Sequence, residues 1–592
     1  MVKRLEALFD NKIWSKAAGI LFPVVLILFS MLHISEGVTV TDTGYNYGNF
    51  VAFDSLDDMW KFSTYLAGVV GALFTKLPFG QTMIGLNIYT GLIKTAISLL
   101  AYFFCIRVCN MRKEAVFLGE MIALGLCWCP TALTYNYLTY LLFGVGAMLL
   151  YLALIYEKKR FFVLAGIALG VNVFVRLPNL AEMALIAVVW LCGILYKKKF
   201  GKIVQETLFC VLGYVTGLGA VFAYIVCRYG LTRYVDGIKA LFAMTDEAGS
   251  YTVKAMIVDM IKIYIRYFKW FAGAIVLVVA GMFLFKICEK KFVALKSCVY
   301  AGIVLAWVYL YYKKGMFDFN YRGYDSMFAL GVMLLTLCLF LFVFWILFTK
   351  RQKEEKVLAS IVCVIILITP LGSNNHLFSP INNLFLTAPF LMNYIWHLLS
   401  DKKSSIMLGK VSFSKLPYKI TVVIFACVLL IQSILFGTNF VFRDGLGGEA
   451  RKFQVSNNPV LQGMYTTEEN AKNLQELNDF LVKEQLTGRE AVLFGNVPAL
   501  AFYYELKPAL SSTWPDLQSF SFSKFESEID GFKAEGKTPV VLVSSKPSDV
   551  GENEDATESL KKKWQCLGDF MESNMYQKVF ANDAFTIYIV QE

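Results

Sequence analysis

The chain has 592 residues, of which 57% are hydrophobic and 15% aromatic, and only 17% are charged, where a soluble globular protein carries about 25% charge. That balance excludes an ordinary soluble enzyme, and 14 prolines and 42 glycines without a low-complexity tract exclude a disordered, collagen-like or simple repeat protein. The net charge of +11 is no argument for a nucleic-acid partner in a membrane protein, where the positions of the basic residues matter more than their sum.

A helix needs roughly 20 mostly apolar residues to cross the hydrocarbon core. In chain order, apolar runs predict spans near residues 17–35, 83–106, 116–133, 138–156, 161–176, 181–196, 203–227, 270–287, 297–312, 327–348, 357–371, 383–399 and 419–437, about thirteen in all. The first run is followed by Ser35-Glu36-Gly37, which lacks a small-residue cleavage pattern, so it is expected to stay as a first helix and not to leave as a signal peptide.

Every second loop is short and basic, with Arg107, Arg112 and Lys113, then Lys158, Lys159 and Arg160, then Lys197, Lys198, Lys199 and Lys202, and so on to Lys402, Lys403, Lys410, Lys415 and Lys419. The positive-inside rule puts these loops and the N-terminus in the cytoplasm of a plasma-membrane protein, and an odd number of spans then puts everything after Phe436 outside. Of the 13 cysteines nearly all lie in apolar runs, where a thiol acts as a small hydrophobe, and Cys566 stands alone in the polar C-terminal part. No structural disulfide and no zinc site are expected.

The outer loops differ in size. The first, residues 36–81, holds Glu36, Asp42, Asp54, Asp57 and Asp58, and its stretch Leu56-Asp57-Asp58-Met59-Trp60-Lys61-Phe62 is amphipathic enough to lie along the membrane interface. The second long outer loop, residues 228–269, carries Arg228, Arg233, Lys239, Lys254, Lys262, Arg266 and Lys269, against the positive-inside pattern, so these cations have a reason other than orientation. The loop 313–322, with Lys313, Lys314 and Arg322, repeats the anomaly, and the loop 371–380 is uncharged and amide-rich around Asn374, Asn375 and His376. From about residue 437 the composition is that of a soluble domain: helical periodicity over 468–486 and 560–575, short apolar runs at 491–494 and 540–543 suited to buried strands, and a hairpin turn at Asn582-Asp583. The expected organisation is a polytopic α-helical membrane domain over 1–437 and an extracytoplasmic α/β domain over 438–592.

Three constellations can carry chemistry. Asp42, in Thr39-Val40-Thr41-Asp42-Thr43-Gly44-Tyr45-Asn46-Tyr47, follows the first span and sits where a partly desolvated carboxylate can act as general base for a hydroxyl acceptor. The bland alternative for such an aspartate is a helix cap or a solvated loop residue. The outer cations Arg176, Arg228, Arg233, Arg266, Lys313, Lys314 and Arg322 suit a lipid phosphate, with snorkelling to headgroups as the alternative. Tyr45, Tyr135, Asn136, Asn374, Asn375 and His376 suit sugar hydroxyls, and tyrosines at this depth equally form an aromatic belt. Intramembrane charges at Lys94, Glu120 and Glu182 raise a transporter, but no two-fold repeat supports one, and there is no P-loop, G-x-G-x-x-G, H-E-x-x-H or G-x-S-x-G.

Together, Asp42 just past the first span, the long first outer loop, about a dozen further spans and the outer C-terminal α/β domain resemble the GT-C superfamily of membrane glycosyltransferases, in particular bacterial relatives of protein mannosyltransferases and lipid A aminoarabinose transferases. The resemblance implies a polyprenyl-phosphate-linked sugar as donor, an acceptor glycan, lipid or protein, Asp42 as catalytic base or as the group that orients the acceptor, and Arg228, Arg233, Arg266 and Arg322 around the lipid phosphate, to which Arg176 is added by its place at the end of an apolar span. It implies no cofactor, and no ligand cluster argues for a metal. Several relatives pair two adjacent acids; here Thr43 follows Asp42, so Asp54, Asp57 or Asp58 has to serve where a second is needed, which leaves a divalent metal requirement open. The expected activity is sugar transfer on the outer face of a bacterial plasma membrane. The competing readings are a transporter or flippase of a lipid-linked saccharide and a non-catalytic assembly protein.

Overall fold

A computed structural model describes residues 11–127, 134–243, 253–287, 291–348, 352–371, 376–401, 405–408, 411–553 and 556–590. Among them nine helices are long and apolar enough to cross a membrane, from Lys12–Ser30 to Leu416–Asn439. The other four expected spans are helices of 14 to 16 residues, Lys113–Leu126, Lys159–Asn172, Lys353–Ile368 and Thr387–Ser400. At 1.5 Å per residue these cover only about 21–24 Å, short of a hydrocarbon core of about 30 Å. Their sides are shielded by neighbours, as in the unbroken buried run from Gly119 to Leu126, and enclosed segments tolerate short helices and irregular ends at membrane depth. The expected span at 181–196 begins as a 3₁₀ stretch, Leu177–Ile186, with Pro178 near its start, and becomes α-helical over Ala187–Leu195.

Membrane helices gain little from hydrophobic burial against one another and associate through close packing of small residues. The Lys159–Asn172 and Phe200–Tyr229 helices meet in this way, with Gly166 and Gly170 facing Gly213 and Gly217. A methyl group on Gly213 would lie 2.0 Å from the Val163 carbonyl oxygen, and one on Gly166 2.1 Å from that of Cys210. Gly213→Val is therefore expected to destabilise the bundle by about 1–3 kcal/mol, seen as a lower unfolding midpoint in detergent. Gly219→Ala, where a Cβ meets nothing within 4 Å, serves as the neutral control.

A two-stranded antiparallel hairpin, β1 (Ser405–Leu408) and β2 (Val411–Ser414), precedes the last long helix. Beyond that helix the chain folds into a five-stranded sheet of order β4-β3-β5-β7-β6, from β3 (Glu490–Phe494), β4 (Lys507–Pro508), β5 (Val540–Ser544), β6 (Tyr576–Ala581) and β7 (Phe585–Val590). β3 pairs parallel with β4 and β5, and β7 pairs antiparallel with β5 and β6. β3 and β5 are buried on both faces, which their unbroken apolar runs require. Helices Glu468–Lys483, Phe522–Glu535 and Glu558–Ser573 cover them, each started by a hydroxyl cap, from Thr467, Ser521 and Thr557. Asn582 closes the β6–β7 turn by accepting from the amides of Ala584 and Phe585.

The amphipathic stretch of the first outer loop finds a protein partner. It forms a short helix, Asp58–Ser63, whose apolar face, with Met59 and Phe62 buried, packs against the Leu231–Phe242 helix. Trp60 on the same helix packs against the core of the C-terminal sheet domain.

Candidate functional site

The segment after the first helix is held from outside by the far end of the chain. Gly37 donates its amide to the Tyr465 carbonyl at 2.8 Å, and Tyr465 donates to Ser35 at 2.8 Å, a parallel bridge one pair long. The Asn470 amide group donates to the Val38 carbonyl at 2.7 Å, the Tyr503 hydroxyl to that of Thr39 at 2.6 Å, and the Ala499 amide to that of Val40 at 3.0 Å. Gly37 has φ +90°, and a Cβ there would sit 2.5 Å from the Val441 side chain, so only glycine fits this approach.

Behind the clamp lies a buried ion pair. Arg451 Nε is 3.3 Å from Asp444 Oδ2, with side chains 5% and 1% exposed. Asp444 Oδ1 accepts from the Thr466 hydroxyl at 2.5 Å and from Asn470 at 3.2 Å, so the pair anchors the residues that grip Val38 and Tyr465.

The clamped segment delivers Asp42 to the first position of the Asp42–Val51 helix. The cap position belongs to Thr41, which makes no side-chain capping bond. Asp42 Oδ2 is 3.7 Å from Arg443 Nη1, and burial pushes its carboxyl above the ordinary carboxylate range while the Arg443 cation opposes that rise. A base so tuned holds a proton more readily than a solvated aspartate. Arg443→Ala is expected to shift the acidic limb of the activity–pH profile to higher pH, because removing the cation disfavours the charged carboxylate. A limb that stays put or moves down would detach Arg443 from Asp42.

The helix is a partition. On one side Thr43 faces a cavity of about 90 Å³ at the end of the first span, lined also by His33, Glu36, Thr39, Lys94 and Tyr137. His33 presents Nδ1 to Glu36 and Nε2 to the Gly437 carbonyl, each at 2.9 Å, and its contact holds the Glu36 carboxyl below the usual range. Lys94 reaches this cavity from the Met83–Arg107 helix without a carboxylate partner among the described residues. The other side of the partition, through Tyr45, Gly48 and Asn49, faces a much larger cleft of about 800 Å³ shared with the C-terminal domain.

Of the expected site residues, Asp42 and Tyr45 come together on this helix. None of the five arginines lines the cavity that holds Lys94. Arg228 lies 3.7 Å from Asp54, and Arg233 makes a two-pronged contact with Asp58 at 2.9 and 2.7 Å. Their reason for breaking the positive-inside pattern is thus the fastening of the Leu231–Phe242 region to the first outer loop. Arg176 donates to Asn179, which with Asn172, Thr139 and Glu182 forms a buried polar network. Arg266 and Arg322 are exposed. Tyr135 and Asn136 begin the Thr134–Tyr156 helix beside Tyr137, His376 is half-buried with a left-handed backbone, and Asn374 and Asn375 lie outside the described residues.

In the sequence Lys94 stands out only as an intramembrane charge, costly in lipid, and the fold places it in this cavity. Arg443 carried no signal, since only the folded chain brings it to Asp42.

No protein-family model matches the chain, and no curated protein matches it. Among solved structures the chain is similar to ArnT from Cupriavidus metallidurans in the apo state, at 11% sequence identity over 98% of each chain, with a TM-score of 0.43.

Proposed function

We propose that this protein is a membrane glycosyltransferase that moves a sugar from a polyprenyl-phosphate donor to an acceptor hydroxyl at the outer face of the plasma membrane. The observation that carries this reading is the partition: a tuned carboxylate, Asp42, heads a helix that separates a membrane-level cavity holding Lys94 from a wide outer cleft. The donor phosphodiester, a monoanion, lies against Lys94, where an ammonium in a partly dry cavity stabilises the second negative charge that develops as polyprenyl phosphate leaves. The acceptor oxygen approaches from the other side, attacks the anomeric carbon and gives its proton to Asp42. The bond from that carbon to the phosphate oxygen breaks with inversion, and the electron pair leaves on the polyprenyl phosphate. Arg176, Arg228, Arg233, Arg266 and Arg322 serve the fold or the membrane surface in this reading.

The test is transfer of label from a radiolabelled polyprenyl-phosphate sugar in membranes containing wild type or Lys94→Gln. Label moved to an acceptor by the wild type, with the donor KM raised tenfold or more in the variant, supports the proposal. Donor crossing the bilayer intact with no label transferred makes the protein a transporter and overturns it.

A further inference from the structure

The outer cleft has a chemistry of its own that the transfer step does not consume. Its volume of about 800 Å³ lies within the range of about 300–1,000 Å³ typical of small-molecule sites. Tyr45 and Asn49 line it from the Asp42–Val51 helix, Trp60 from the Asp58–Ser63 helix, and Glu505, Ser511 and Thr513 from the C-terminal domain. The Tyr45 ring is set edge-on to Trp514, with ring centroids 5.3 Å apart, so it is held in place before any ligand arrives. The Trp60 indole N–H and the Thr513 hydroxyl are shielded from solvent and have no hydrogen-bond partner among the described residues. Buried donors of this kind are normally satisfied.

Flat aromatic faces beside amide, hydroxyl and carboxylate groups match a pyranose ring, which offers apolar C–H faces and a rim of hydroxyls. The charge around the cleft narrows the choice. Asp57 is paired with Lys524 at 3.3 Å, and the remaining lining charges are Glu490 and Glu505 with one lysine, Lys507. The net negative charge that is left disfavours a polyphosphate or uronic-acid polymer. Tyr45 stands one helical turn from Asp42, which lies just beyond the lining of the cleft, so a chain in the cleft ends within about a turn of that carboxylate.

We propose that this cleft binds an uncharged saccharide chain, and that the bound chain is the acceptor. Its role as acceptor rests on the transferase reading; its binding does not. The experiment titrates the full-length protein in lipid nanodiscs with uncharged tetrasaccharides of glucose, mannose, galactose and N-acetylglucosamine, and with polyglycerol phosphate of matching length. At least one tetrasaccharide is expected to bind more tightly than polyglycerol phosphate. Trp60→Phe, which removes the N–H and keeps an aromatic face, is expected to raise its dissociation constant about fivefold to tenfold. Gly48→Leu fills the cleft without straining the helix, because a Cβ there meets only the Phe502 side chain at 3.5 Å, and is expected to raise it more than tenfold. Binding of none of the tetrasaccharides, a preference for polyglycerol phosphate, or an affinity indifferent to both substitutions overturns the proposal. Because binding is read without turnover, retained binding with no transfer removes the reaction and leaves the cleft standing, whereas retained transfer with no saccharide bound does the reverse.

Discussion

Asp42→Asn is expected to lower sugar transfer by about 10²–10⁴-fold, the range a positioned general base supplies, with almost no loss of folding. The amide has nearly the carboxylate's shape but cannot take the acceptor proton. The contact that it weakens, to Arg443 at 3.7 Å, involves a guanidinium that is 56% exposed, and exposed pairs of this kind contribute little to stability. The measurement is label transfer from the lipid-linked donor, alongside the unfolding midpoint of the same preparation. Normal transfer by Asp42→Asn would end its assignment as base, and a collapsed midpoint would make its role structural. The pH profile gives a second handle. Burial raises the carboxyl of the wild type, so activity is lost, as pH falls, above the pH at which a solvated aspartate titrates.

Arg451→Leu carries the largest expected effect on stability. The substitution leaves Asp444, 1% exposed, without its cation, and breaking one side of a buried pair costs about 3–5 kcal/mol. Thermal unfolding of the purified protein checks it. The pH dependence has a definite sign. Burial already pushes the Asp444 carboxyl above its ordinary value, and losing Arg451 pushes it further, so the folded state of the variant binds a proton that the unfolded chain has released. Stability of Arg451→Leu is therefore highest below the ordinary aspartate value, where the unfolded chain is protonated too, and falls as pH rises from there through the raised folded-state value. A variant whose stability rises over that interval contradicts the assignment. Since Asp444 anchors Asn470 and Thr466, sugar transfer is expected to fall with the midpoint.

What the sequence displayed was periodicity and composition. The apolar runs each became a helix, the runs at 491–494 and 540–543 became β3 and β5, and Asn582-Asp583 became the turn between β6 and β7. The facing glycines Gly166/Gly170 and Gly213/Gly217 stand in the sequence as two small-xxx-small spacings, the pattern of a close helix pair. Charge was less legible. Arg228 and Arg233 look like phosphate ligands until Asp54 and Asp58 appear opposite them, a pairing between segments about 175 residues apart that no local pattern encodes. The same holds for Arg443 beside Asp42. An excess of outer cations showed that something negative had to be met, and only the fold shows that much of it is the chain's own.

The grip on residues 35–41 has a consequence for how the protein is made. The Tyr503 hydroxyl and the Thr39 carbonyl that it holds are 464 positions apart. The ribosome delivers Asp42 and Lys94 early, long before the partners that fix their surroundings. Until the C-terminal sheet domain has folded, none of these hydrogen bonds can form, and the segment that carries Asp42 hangs unsupported. A chain cut after Asn439 keeps Asp42 and Lys94 but lacks Tyr465, Asn470, Ala499 and Tyr503, so it is expected to leave that segment unanchored.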